Sequence, residues 1–71
     1  MLTIEEKIKI LCRRTGIGIE GLAARVGCSR QNLYLKLRRG NWKEADLKAY
    51  ADALGYEYDV VFVNKETGER L

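Results

Sequence analysis

Leu22-Ala23-Ala24-Arg25-Val26-Gly27-Cys28-Ser29 lies in the first half of the chain, and the sizes of its side chains decide the fold. Two helices joined by a turn of three or four residues pack near perpendicular only if their contact residues are small. Ala23 supplies that small side chain. Gly27, four residues on, permits a positive φ in the turn, where a Cβ would clash. Cys28 is a modest apolar plug beneath the turn, Ser29 is a good N-cap, and Leu33 closes the wedge from the next helix. Parts of this pattern occur in any helical hairpin, so a generic helical domain is the plain alternative.

Working outward, Leu33 and Leu37 are one turn apart on the inner side of the downstream helix, which Gly40 closes. The helix before the turn runs from about Ile19 to Val26, with Leu22, Ala23 and Val26 as its apolar stripe. Gly21 inside it costs about 1 kcal/mol relative to Ala. Thr3-Ile4-Glu5-Glu6 has the form of a capping box, and Ile4, Ile8 and Leu11 then share one face of a helix from about residue 4 to residue 15. Cys12 lies beside them, Lys7, Lys9, Arg13 and Arg14 mostly point away, and Gly16 supplies the stop. A last helix, from about Lys43 to Leu54, buries Leu47, Tyr50, Ala51 and Leu54. Trp42 at its entrance reads as a core plug, with a stacking platform as the alternative. From Tyr56 the period changes to two: Tyr56, Tyr58, Val60 and Phe62 alternate, which predicts a strand over 56–63. Lys65-Glu66-Thr67-Gly68 forms a turn, so that Glu69-Arg70-Leu71 folds back as a short second strand.

The 71 residues suffice for one domain with a thin core. Domains this small usually add disulfides, a metal or a partner subunit. Two cysteines make no disulfide framework, and without His a zinc site needs other ligands. Oligomerisation is the expected supplement. With no secretory signal and no apolar run of about 20 residues, the sequence predicts a cytoplasmic protein whose thiols stay reduced. Net charge is only +3, but residues 1–42 hold nine Lys/Arg against three Asp/Glu, and residues 43–71 hold four against seven. Arg25, Arg30, Lys36, Arg38, Arg39 and Lys43 follow one another with no acid among them. A one-signed segment of this kind suits a polyanion, because Lys and Arg displace condensed counterions from phosphates. Its plain alternative is a solvated basic face.

The chain resembles the phage Cro and repressor type, or xenobiotic-response-element type, of helix-turn-helix regulator. The resemblance covers about residues 3–55. It rests on Ile8-x-x-Leu11, Leu22-Ala23-x-x-x-Gly27-Cys28-Ser29, Asn32-Leu33 with Leu37, and Leu47-x-x-Tyr50-Ala51-x-Ala53-Leu54-Gly55. It implies a mainly α, lambda-repressor-like fold of four helices with a short C-terminal β-strand or hairpin. Residues 1–71 would then be a single domain, with a DNA-binding bundle over 1–55 and a β tail over 56–71 that serves dimerisation. The implied function is transcription regulation by a dimer on a palindromic operator in double-stranded DNA, in the nucleoid, with the third helix in the major groove. The chain departs from the family's pattern in several places. Gly18 stands where Thr or Ser is usual, which weakens the cap of the second helix. Gly21 replaces a helix former, and Ile19 replaces a Gln that often contacts phosphate. Lys36 stands at a commonly apolar position, which leaves the inward role to Leu37. The domain is expected to be marginally stable until it dimerises or binds DNA.

With Leu33 and Leu37 inward, Gln31, Leu35 and Arg38 fall on the opposite side of the third helix, flanked by Tyr34. Arg30 lies nearer the inner side, but from the first turn its long side chain reaches the groove. Arg30 and Gln31 are the expected base readers, since Arg pairs bidentately with guanine and Gln with adenine. Tyr34 suits a base, a phosphate or a thymine methyl, and Leu35 suits an apolar contact or plain exposure. Ser29 and the first amides suit a phosphate. Lys36, Arg38, Arg39, Asn41 and Lys43 suit phosphate positioning. The rival expectation is an antitoxin or protein-interaction module whose acidic tail, with Glu57, Asp59, Glu66 and Glu69, pairs with a protein partner. RNA is a weaker alternative, because few exposed aromatics interleave with the cations. An enzyme is not expected, since there is no His, no nucleophile beside a base and no phosphate-cradling glycine loop. No cofactor or metal is expected.

Overall fold

The structure is a computed structural model that describes residues 2–71. It is mainly helical, with α1 (Ile4–Thr15), α2 (Gly18–Val26), α3 (Arg30–Arg39) and α4 (Glu44–Ala53) in chain order. No helix among the described residues is long and apolar enough to cross a membrane.

Thr3 starts α1 as its sequence predicts. Its Oγ1 accepts from the Glu6 amide at 3.1 Å, and its own amide donates to Glu6 Oε1 at 3.1 Å. That backbone bond, then the side-chain bond from Thr3 and the charge of Lys9, hold the Glu6 carboxyl below its ordinary pKa. A lowered folded value means that the cap contributes fully above the ordinary carboxylate range and is lost as pH falls through the lowered one. An NMR titration should therefore find Glu6 below the ordinary carboxylate value, and a Thr3→Ala variant, which keeps the amide but loses the hydroxyl, should raise it only part of the way.

Helix α2 begins one residue earlier than predicted, at Gly18, whose φ of +74° suits glycine. Ile17 precedes it without a side-chain cap bond. The cost of Gly21 has a local reason. A Cβ built there meets Ile17 Cγ2 at 2.7 Å, and Ile17 packs against the core. Isoleucine is β-branched and stiff at χ1, so it yields poorly. Gly21→Ala is accordingly expected to lower the melting temperature, although helix propensity alone predicts a gain of about 1 kcal/mol. In an Ile17→Ala background the same change should raise it. A rise in the parent would show that Ile17 moves aside freely.

Gly27 ends α2 at φ +79°, the Cys28 amide bonds the Ala23 carbonyl at 3.0 Å, and α3 starts three residues later. Helix α2 packs against each of the other three, and α1 also meets α3. The core joins Ile8 and Cys12 of α1, Leu22 and Ala23 of α2, Leu33 and Leu37 of α3, and Leu47, Tyr50 and Leu54 from α4 and its end. Ile4, Leu11, Val26, Cys28, Trp42 and Tyr58 pack around it, half-buried. Trp42 is thus a plug at the edge of the core, as expected. Leu37 holds the inward position that Lys36 leaves. Burial pushes the Cys12 thiol up, which keeps it protonated and inert.

Helix α4 has no basic residue in its last turn. Arg25 supplies one from α2, its Nη1 donating to the Ala53 carbonyl at 3.0 Å.

The tail departs from expectation. The strands predicted over 56–63 and 69–71 do not form, and the pairing is one antiparallel bridge between Val63 and Arg70. Phe62 and Leu71 exchange amide bonds beside it at 2.7 and 2.9 Å. The amides from Glu57 to Val61 have no backbone partner among the described residues. Tyr58 turns back to the core, which breaks the expected alternation. Two paired residues cannot sustain a sheet without a third strand or a helix to lie on. Beyond Tyr58 every residue is exposed, and the radius of gyration is 13.3 Å, against about 11 Å for a compact chain of this length, with a long axis of 42 Å.

Candidate nucleic-acid interface

Helix α3 is a short, well-capped rod. Ser29 Oγ accepts from the Asn32 amide at 3.1 Å, and Gly40 closes the other end. Leu33 and Leu37 are almost fully buried and fix the rotation of the helix. That rotation leaves Arg30, Gln31, Tyr34, Arg38 and Arg39 exposed, while Leu35 and Lys36 are half-buried. The amides of Arg30 and Gln31 belong to the first turn, where no helical carbonyl lies four residues before them, and they have no backbone partner among the described residues.

Two concavities flank the rod. Arg30, Gln31 and Tyr34 line an open notch on one side, which brings the two expected base readers together with Tyr34. Cys28, Asn32, Leu35, Lys36, Arg39 and Asn41 line a groove on the other. Leu35 is thus part of a groove wall rather than the crest of the helix. Asn41 and Lys43 stand exposed on the connection to α4, and the Lys43 amide is taken by Asp46 Oδ2 at 2.9 Å. Arg38 and Lys43 line neither concavity.

The ion pairs among the described residues are Lys9 with Glu5 and Lys48 with Glu44. Arg30, Lys36, Arg38, Arg39 and Lys43 therefore carry no ion pair among the described residues. Arg25 belongs to the same basic run in the sequence, but its guanidinium is committed to α4.

Two residues are added that the sequence reading did not place here. Asn32 enters through the groove. Lys9 enters from α1, its Nζ lying 5.2 Å from the centre of the Tyr34 ring. The Glu5/Lys9 spacing of four was visible as a helical ion pair. That α1 lies against α3 was not, because nothing local encodes it. No family model matches the chain, and neither does any curated protein or solved structure.

Proposed function

We propose that the chain is a sequence-specific helix-turn-helix DNA-binding protein of the phage-repressor and Cro kind, regulating transcription in the cytoplasm. The observation that carries this reading is the arrangement on and after α3: a capped, core-anchored rod with Arg30, Gln31 and Tyr34 around one notch, and four further cations, Lys36, Arg38, Arg39 and Lys43, without an ion pair among the described residues. Base readers must be held rigidly, whereas phosphate contacts need only charge within reach. Arg30 and Gln31 read base edges, Tyr34 flanks them, and Ser29 with the first amides takes a phosphate. Lys36, Arg38, Arg39, Asn41 and Lys43 position the backbone, and Leu35 offers an apolar wall. Selection from a random duplex pool tests the reading. It predicts an enriched palindrome with half-sites about 10 bp apart, and binding that weakens steeply with salt. A pool that stays random would end it.

The dimer is formed through the tail. Val60, Val61, Phe62 and Val63 are exposed there, Phe62 to 75%, beside amides from Glu57 to Val61 that have no backbone partner among the described residues. Such an edge is a template for a second strand. Val61→Glu with Phe62→Glu should give monomers in sedimentation equilibrium and lower affinity for the full palindrome more than for a half-site. A dimer that survives both changes would move the interface elsewhere. The same surface favours a second reading, an antitoxin-like protein whose tail holds a protein partner, and co-purification of a neighbouring gene product would favour it.

A further inference from the structure

Tyr34 faces two ways. On one side it shares the notch with Arg30 and Gln31; on the other its ring face lies under the Lys9 ammonium at 5.2 Å. Lys9 is itself held, since its Nζ is 3.0 Å from Glu5 Oε2, the two side chains being 38% and 26% exposed. The series Glu5, Lys9, Tyr34 therefore runs from α1 to the exposed face of α3. A tyrosine ring that swings about its side-chain torsions discriminates poorly between base pairs, whereas a pinned ring holds its hydroxyl and edge in one place.

We propose that Lys9 is a positioning residue for Tyr34: it fixes the ring from α1 and thereby sets the base preference read beside Arg30 and Gln31. The inference rests on the DNA-binding reading above. Lys9 is not a phosphate contact in this scheme. Its charge is already paired with Glu5, so its removal releases no phosphate neutralisation and leaves the salt dependence alone.

The test uses the full chain on the duplex selected from the random pool and on its single base-pair variants. Lys9→Gln should lower discrimination at one base pair by roughly two- to five-fold, the size of an exposed cation–ring contact. The dependence of log affinity on log salt should stay the same. Lys9→Arg should restore the preference. Tyr34→Ala should remove it at the same base pair, and adding Lys9→Gln to Tyr34→Ala should change nothing further. In the free protein, Lys9→Gln should shift the ring-proton resonances of Tyr34. Three results overturn the inference alone: additive losses, unchanged discrimination, or uniform weakening with the salt slope reduced by about one, which marks a phosphate contact. Failure of the pool to yield any preferred duplex would instead remove the DNA-binding reading, and this inference with it.

Discussion

Leu33→Ala should cost about 2–5 kcal/mol and leave much of the chain unfolded at physiological temperature. The side chain is fully buried at the junction of α2 and α3, in the same cluster as Leu22 and Ala23. Truncation removes three heavy atoms from a site whose walls belong to different helices, and those walls close only by tilting α3. A domain of this size has roughly 4–10 kcal/mol of stability in total, so the loss is a large fraction of it. Urea titration followed by far-ultraviolet circular dichroism measures it directly. A loss below about 1 kcal/mol would mean that Leu33 is not the wedge between the two helices. Leu33→Met, which conserves volume, should cost less than about 1.5 kcal/mol and separates packing from mere hydrophobicity.

Joint replacement of Arg30 and Gln31 by Ala should remove sequence preference at the positions they read, leaving only that of Tyr34, while the fold stays intact. Each bidentate side-chain pair with a base edge is worth about 1–3 kcal/mol of discrimination, so losing both costs 30-fold or more on the selected duplex. Both side chains are exposed and neither carries an ion pair, so melting temperature should hardly move. Non-specific binding should persist through Lys36, Arg38, Arg39 and Lys43. The single variants separate the roles. Arg30→Ala should relax preference at one operator position, and equal weakening on every duplex would reclassify Arg30 as a phosphate contact.

The helical part was legible because its signals are local. Thr3 with Glu6, Ser29 with Asn32, and the glycines after each of the first three helices act within a few residues, and the structure shows them in use. Ile8, Leu22, Leu33 and Leu47 followed from a period that burial enforces. The tail was misread because alternation of apolar residues states only that a strand is available, while a ladder also needs a neighbour. Within one chain the pairing stops at Phe62 with Leu71, Val63 with Arg70 and Asn64 with Glu69, and residues 57–61 find no backbone partner among the described residues. Arg25 and Lys9 were misplaced for a related reason: a charge in a sequence has a sign but no direction. Packing turns Arg25 onto the end of α4 and Lys9 onto Tyr34.

Helix α2 has the broadest set of partners in the bundle and the least securely fastened beginning, since Ile17 offers it no side-chain bond. If its first turn lets go, α1, α3 and α4 lose their common support together. Native-state hydrogen exchange should therefore find one shared opening energy across all four helices, not a ladder of separately melting pieces. On that expectation the four helices open and close as one unit, so small changes in temperature should shift the whole bundle at once and no single helix ahead of the others.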